Sequence, residues 1–158
     1  MKDQIGQRGE SIFSVRITEF HLNRGPLFRP QFLGDKFPFA DYLILLEGAG
    51  VTRPFFFVQV KTTRLGYTKA EKRLKVQISK EHIEGLIALP APTYIVGIDE
   101  IDETGYIVSA NGESTKHISS LSTLFSINDV NRKLLWDEVQ AYWNQLTVPK
   151  LISIFPNT

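Results

Sequence analysis

The chain contains no cysteine, which excludes disulfides, thiolate metal sites and a cysteine nucleophile, and fits a reducing compartment. Neither sign of charge is in excess, because 18 basic and 17 acidic side chains leave a net charge of +1. Bulk charge therefore neither favours nor opposes a polyanionic partner. The N-terminus lacks an apolar targeting segment, and no apolar run approaches the about 20 residues that span a bilayer. We expect a cytoplasmic protein that does not bind membranes.

The composition that remains is that of a globular protein. Hydrophobic residues occupy 42% of the 158 positions and charged residues 22%, which provides a core and a solvated surface. This length suits one ordinary domain. We therefore expect a single domain over residues 1–158, with its core over about 6–110 and an additional C-terminal helix.

The first predicted element is a helix over about 9–20. Phe13, Ile17 and Phe20 recur at intervals of four and three, which is typical of one helix face. Glu10 would then lie in the first turn of this helix.

The remaining elements alternate between strands and helices. The first of them are a short strand around 31–33, apolar strands over 40–47 and 55–61, and a strand or helix lead-in over 74–79. A helix over 80–89, capped by Ser79, comes next, followed by a strand over 93–98 and its hairpin partner over 105–109. The last element is a helix over 129–146, capped by Asn128. The last helix has one apolar stripe, which we interpret as core packing or a dimer face. The stripe consists of Leu135, Val139, Tyr142 and Leu146. This order predicts an α/β or α+β domain with a mixed central sheet.

A polar triplet, Gln59-Val60-Lys61, ends an otherwise apolar strand. Because side chains alternate along a strand, Gln59 and Lys61 share one face. The preceding strand carries one early carboxylate, Asp41. A hairpin symmetric about position 51 would place Asp41 opposite Lys61, and directly opposed Cβ atoms lie about 4.5–5.5 Å apart. We therefore expect a carboxylate, an amide and an ammonium to converge.

The residues at this strand end are typical of a metal-dependent phosphodiesterase. Mg²⁺ prefers oxygen ligands, usually one or two carboxylates with waters and phosphate oxygens. Asp41 and Glu10 would supply carboxylates, and Gln59 would supply a side-chain carbonyl. Lys61 would orient or help to deprotonate the attacking water and stabilise charge on a phosphoryl group. The set predicts hydrolysis of phosphodiesters with Mg²⁺ or Mn²⁺.

A basic segment follows this strand directly. Between positions 64 and 80, six basic side chains stand against one acid, whereas positions 99–113 carry five acids and no base. Phosphate neutralisation by Lys and Arg is the expected source of DNA affinity. A solvated loop and helix face explains the same charges equally well. The predicted DNA-contacting residues are Arg64, Lys69, Lys72, Arg73 and Lys75.

The order of these motifs resembles the PD-(D/E)XK nuclease superfamily. The shared features are Glu10 on an N-terminal helix, Asp41 at the start of a core strand, Gln59-Val60-Lys61 at the end of the next, and a following helix and strand. The stretches at 9–10, 56–62, 78–82 and 92–96 also resemble an uncharacterised prokaryotic domain family placed in that superfamily. The resemblance spans about 6–143. It implies a restriction-endonuclease-like core, Mg²⁺ or Mn²⁺ as cofactor, and DNA as substrate in restriction, phage defence or mobile-element biology.

Two features depart from the superfamily pattern. Pro38 lies three positions before Asp41 instead of next to it. Gln59 stands where Glu or Asp is usual, as it does in the Mrr-type restriction enzymes that this chain resembles. The change removes one negative charge, so we expect weaker Mg²⁺ binding and a greater dependence on Glu10. The alternative is a catalytically degenerate nuclease-fold module that binds nucleic acid or a protein partner, such as a second copy or a defence-system protein.

Each site residue also has a structural interpretation. A carboxylate in a first helical turn gains from the helix dipole, and Lys61 could extend from the sheet end into water. Asp41 could be solvated, and Gln59 could satisfy a backbone group. Asp35 is a reserve carboxylate, because it lies just before the strand that bears Asp41. The histidines show no metal-ligand spacing, and we interpret them as surface or loop residues: His21, His82 and His117.

Overall fold

The computed structural model describes residues 2–50, 53–112, 116–146 and 150–157. The predicted hairpin centre at position 51 and the last acidic position, 113, are among the residues outside these ranges. The helices and strands follow in the order α1 (Lys2–Ile17), β1 (Phe28–Phe32), β2 (Tyr42–Leu46), β3 (Phe55–Thr63), α2 (Lys80–Ile87), β4 (Thr93–Asp99), β5 (Thr104–Ser109) and α3 (Asp129–Gln145). No helix within these ranges is long and apolar enough to cross a bilayer.

The five strands form one mixed sheet in the order β1-β2-β3-β4-β5. Strands β3 and β4 are parallel, and the other neighbouring pairs are antiparallel. A parallel pair needs a crossover connection, which here contains α2. The predicted α+β class, with a mixed sheet and an additional C-terminal helix, is confirmed.

The helices cover opposite faces of the sheet. Apolar residues of α1 and α3 form one cluster with Phe56 and Val58 of β3, whereas Phe57 belongs to a separate cluster. Residues of α2 pack with Ile95 of β4 in a further cluster. Because side chains alternate along β3, Gln59 points to the same side as Phe57. Only 5% of Gln59 is exposed.

The N-terminal helix begins earlier than the sequence predicts. Helix α1 spans Lys2–Ile17, so Glu10 lies in its middle and the predicted first-turn position is wrong. The predicted start at about position 9 coincides with Gly9, which instead allows a close crossing of two elements. A Cβ at Gly9 would lie 1.7 Å from Oγ1 of Thr62 on β3. The glycine therefore lets α1 pack directly against the end of β3.

The hairpin between β2 and β3 has a different register from the predicted one. Leu43 lies opposite Phe57, so the symmetry centre is position 50 and not 51. Gly48 and Gly50 adopt positive φ angles of 74° and 87°, which set the reversal one residue earlier. The predicted pairing of Asp41 with Lys61 is therefore wrong. The two-residue offset nevertheless keeps every side chain on its predicted face.

Helix α3 is anchored to the sheet by its two tryptophans. Trp136 Nε1 donates to the carbonyl of Glu47 at 2.9 Å, and Trp143 Nε1 donates to that of Phe55 at 2.8 Å. Leu135 and Val139 are buried, which confirms the interpretation of this part of the stripe as core packing. The predicted cap is also confirmed, because the side chain of Asn128 accepts from Asn131 N.

The segment between β3 and α2 forms a short hairpin outside the sheet. Residues 66–75, here called the basic hairpin, are closed by hydrogen bonds between Thr68 N and Arg73 O at 2.8 Å and between Lys75 N and Gly66 O at 3.0 Å. The chain then runs along residues 118–121 through isolated bridges. Ser79 accepts from His82 N, which confirms the predicted cap of α2.

Candidate functional site

Asp41 is fixed to the end of strand β3 by its side chain. Its Oδ2 accepts a hydrogen bond of 2.7 Å from the backbone N–H of Val60, which lies between Gln59 and Lys61. Its own N–H donates to the carbonyl of Val58 at 2.9 Å. The carboxylate thus lies beside the polar triplet, although not in the predicted register. Its other oxygen, Oδ1, takes no part in the bond to Val60.

Glu10 reaches the same region from α1. The hydroxyl of Tyr42 donates to the backbone carbonyl of Glu10 at 3.2 Å, so the residue after Asp41 ties β2 to this point of the helix. The close crossing at Gly9 fixes the helix from the β3 side. Two independent contacts therefore set the position of Glu10.

An open cleft of about 1060 Å³ lies over these strand ends. Glu10 and Lys61 line it, together with Asp35 and Arg64. Its walls come from α1, the end of β3 and the segments that follow β1 and β3. Acidic and basic side chains thus face one accessible space, which suits a charged substrate that must approach from solvent.

Burial and neighbouring negative charges raise the pKa of Glu10 and of Asp41. Burial raises the pKa of Glu10, and the negative charges of Asp41 and Asp35 raise it further. Burial also raises the pKa of Asp41, although the Val60 N–H and the charges of Lys61 and His82 oppose that rise. Carboxylates that repel each other in a partly buried place are stabilised by a cation between them.

The electrostatic coupling extends to Tyr42 and His82. Burial and the charges of Glu10 and Asp41 raise the pKa of Tyr42 to about 12. Burial and the charge of Lys61 lower the pKa of His82, whereas a hydrogen bond to the Phe39 carbonyl and the charge of Asp41 act in the opposite direction. Of the residues predicted from sequence to converge, Glu10, Asp41 and Lys61 are electrostatically coupled, together with Asp35 and His82, whereas Gln59 contacts His82.

The amide of Gln59 contacts the ring of His82. Nε2 of Gln59 makes a short contact with Nε2 of the His82 ring, and the side-chain oxygen Oε1 of Gln59 is buried without a hydrogen-bond partner. A buried acceptor without a partner costs about 1–3 kcal/mol. Gln59 therefore has an oxygen in the interior for which the described protein groups provide no donor.

Phe39 connects His82 to the strand that carries Asp41. Its ring lies 5.3 Å from the His82 ring in an edge-to-face arrangement, and its carbonyl lies 3.3 Å from His82 Nε2. A Cβ at Gly85 of α2 would lie 2.4 Å from the Phe39 ring. Phe39 also has a φ of 72°, which costs a bulky residue about 1–3 kcal/mol. These contacts hold that conformation two residues before Asp41.

The donor set fits a hard divalent cation. Asp41 and Glu10 offer carboxylate oxygens, and Gln59 offers the buried Oε1 that lacks a donor. In the part of the chain that the structure describes, no three carboxylate, imidazole or thiolate side chains are close enough to hold an ion by themselves. Mg²⁺ or Mn²⁺ would therefore need the amide oxygen, together with waters and substrate phosphate, to complete its coordination.

The predicted DNA-contacting residues fall into two groups. Arg64 is paired with Glu100 at 2.8 Å, and Arg73 donates to the side chain and carbonyl of Ser120, so both stabilise loops. Three lysines are exposed on the basic hairpin, two of them at its tip and the third at its open end. They are Lys69, Lys72 and Lys75.

His82 is the site residue that sequence reasoning missed. The interpretation of this histidine as a surface or loop residue is wrong, because it lies on α2 and contacts Gln59. Ser79 was a usable signal, since a helix that begins there places His82 in the first turn, next to the buried Ile83. His117 is exposed, as expected, and His21 lies in the loop after α1.

No protein-family model, curated protein or solved structure matches this chain.

Proposed function

We propose that this protein is a metal-dependent phosphodiesterase, an endonuclease that cleaves DNA in the cytoplasm. The observation that supports the proposal best is the hydrogen bond from Val60 N–H to Asp41, which holds a carboxylate against the backbone of the residue between Gln59 and Lys61. Glu10 faces the same region, and its charge is coupled to that of Asp41. The resemblance of these motifs to the PD-(D/E)XK superfamily supports the same chemistry.

Each residue of the set has a distinct role in this proposal. Asp41, Glu10 and Gln59 would hold Mg²⁺ or Mn²⁺, which lowers the pKa of a bound water and neutralises charge on the phosphoryl group. Lys61 lies on the same strand face as Gln59. Its ammonium would orient the attacking water and stabilise the negative charge as the phosphorus–oxygen ester bond breaks.

The surroundings of the site suit a nucleic-acid strand. The cleft of about 1060 Å³ is open to solvent, and its wall includes Lys61 and Arg64. The basic hairpin leaves the sheet directly after β3, which ends at this cleft. A phosphate backbone that lies in the cleft would thus approach Lys69 and Lys72 after leaving the site.

The described part of one chain supplies one such site. One site cleaves one strand of a duplex, and a double-strand break requires either a second event or a second copy related by two-fold symmetry. The appropriate assay is therefore the conversion of supercoiled plasmid to nicked circles, which registers single-strand cleavage.

The test is plasmid nicking with Mn²⁺ by the wild type and by the Asp41→Ala and Lys61→Ala variants. We expect each substitution to lower the nicking rate at least about 100-fold, because each removes a group that stabilises the transition state. Asp137→Ala and Lys133→Ala are matched controls, since these residues form an exposed ion pair on α3. Equal cleavage by all five proteins would refute the mechanism.

A second candidate is a nuclease-fold module that binds nucleic acid or a protein partner without catalysis. Gln59 favours it, because an amide brings no negative charge to the position where a carboxylate is usual. Calorimetry with Mn²⁺ separates the two functions. A catalytic protein should bind Mn²⁺ and lose that binding in the Asp41→Asn variant, whereas a non-catalytic module should show no heat of binding in either form.

A further inference from the structure

His82 has a fixed place beside the site and no role in the function proposed above. Ser79 caps α2 by accepting from the N–H of His82, which sets the start of the helix. The Phe39 ring packs against His82 and over Gly85, which seats the helix against the strand entrance. The start of α2 and the Phe39 ring together set the place of the imidazole beside Gln59.

The contact between His82 and Gln59 distinguishes the two ends of the amide. The amide nitrogen Nε2 faces the ring nitrogen of His82, and the amide oxygen Oε1 is buried without a hydrogen-bond partner. Phe39 O, at 3.3 Å, is the other group near His82 Nε2. The Gln59 contact is a hydrogen bond when His82 carries its proton on Nδ1 and accepts through Nε2, a tautomer in which Nε2 does not donate to the Phe39 carbonyl.

We propose that His82 is a positioning residue that accepts a hydrogen bond from the amide nitrogen of Gln59 and thereby directs Oε1 toward the divalent cation. This inference rests on the proposed function, because it needs a cation at Asp41 and Glu10. The cation would then gain a neutral oxygen ligand, Oε1 of Gln59, whose orientation is set by the hydrogen bond between the amide nitrogen and His82.

An amide needs such a partner more than a carboxylate does. The two oxygens of a carboxylate are equivalent ligands, so rotation of the group leaves an oxygen in place. Rotation of the Gln59 amide by half a turn would instead present an NH₂ group, which repels a cation. Groups that orient metal ligands from behind typically change metal affinity about 10- to 100-fold when they are removed. His82 therefore makes glutamine usable at a position where a carboxylate is usual.

The test is a double-mutant cycle read out as Mn²⁺ affinity by calorimetry, without DNA. We expect His82→Leu to weaken Mn²⁺ binding about tenfold in the wild-type background. In the Gln59→Glu background the same substitution should change the affinity less than about twofold, because either carboxylate oxygen can bind. His82→Gln, which keeps an acceptor at similar reach, should recover part of the affinity. Thermal unfolding of each variant shows whether it is folded.

The outcomes separate this inference from the proposed function. An equal loss in both backgrounds would overturn the positioning role, because His82 would then bind the ion itself or support the fold. An unchanged affinity in His82→Leu would overturn it as well, while leaving the metal site intact. A wild type that binds no Mn²⁺ would refute the metal site and the inference together. In the metal-free protein, ¹⁵N chemical shifts of the His82 ring should show a proton on Nδ1, and a proton on Nε2 would contradict the proposal.

Discussion

Glu10 is the carboxylate whose surroundings disfavour its negative charge most consistently. Every influence named for it acts in the same direction, since burial, Asp41 and Asp35 all raise its pKa. Its folded-state pKa therefore lies above its unfolded-state value. The stabilisation that follows is complete at pH values below the unfolded pKa and is lost as the pH rises through the folded pKa. At neutral pH the ionised Glu10 consequently destabilises the metal-free protein.

The first prediction concerns the Glu10→Gln substitution. In the absence of divalent ions at pH 7, we expect the variant to unfold about 2 °C higher than the wild type, because the neutral amide relieves the repulsion. At pH 3.5 the difference should vanish, since Glu10 is then protonated. Saturating Mn²⁺ should raise the melting temperature of the wild type more than that of the variant.

Differential scanning calorimetry at both pH values measures these shifts. Glu71→Gln is a suitable control, because Glu71 is an exposed glutamate of the basic hairpin, away from the carboxylate pair. A variant that is less stable than the wild type at pH 7 would contradict the assignment of Glu10 to a repulsive cluster.

At the scale of elements, the site depends on how closely α1 approaches β3. Gly9 lies at the crossing, where a Cβ would overlap the Thr62 side chain, whereas a Cβ at Gly6 would meet nothing within 4 Å. Both glycines belong to the same helix. They therefore form a matched pair in which helix propensity is equal and only the crossing differs.

The second prediction contrasts Gly9→Ala with Gly6→Ala. We expect Gly6→Ala to stabilise the protein by about 0.5–1 kcal/mol, because alanine is the better helix former. Gly9→Ala should destabilise it by about 1–3 kcal/mol through overpacking against Thr62. It should also weaken Mn²⁺ binding, since α1 must move away and take Glu10 with it. Urea unfolding and Mn²⁺ calorimetry measure the two effects.

Loss of stability in Gly9→Ala with unchanged Mn²⁺ affinity would show that Glu10 does not bind the ion. Similar stability of the two alanine variants would instead show that α1 does not cross β3 as closely as described.

The elements that could be predicted from sequence are those whose signals are local. Asn128 and Ser79 cap their helices as predicted, and the alternation in β3 places Gln59 on the expected face. The errors arise where distant segments decide the structure. The packing role of Gly9 cannot be read from the local sequence, because its packing partner, Thr62, lies on another element. The contact between Gln59 and His82 likewise depends on the placement of α2 against the sheet, which no local pattern encodes.

At the scale of the whole molecule, some basic side chains form ion pairs with the acidic turn, although the basic and acidic segments are separate in sequence. Arg8 and Arg64 both pair with Glu100, at the turn that connects β4 and β5. Asp99 is buried and accepts a hydrogen bond of 2.9 Å from the Tyr67 hydroxyl. The acidic turn therefore supports the loops around the cleft, and the exposed positive charge of the basic hairpin is left to its lysines.

The third prediction concerns DNA binding by those lysines. We expect the combined Lys69→Ala, Lys72→Ala and Lys75→Ala substitutions to weaken duplex binding and to reduce the slope of log affinity against log salt by about 2–3, because each phosphate contact contributes about 0.9. Fluorescence anisotropy in EDTA, between about 50 and 200 mM salt, measures the slope without cleavage.

The control variant, Lys133→Ala on α3, should leave this slope unchanged. Because the three side chains lie outside the carboxylate cluster, Mn²⁺ affinity should be preserved in the triple variant. An unchanged slope would mean that the hairpin is a solvated surface and that DNA reaches Asp41 and Lys61 from another side.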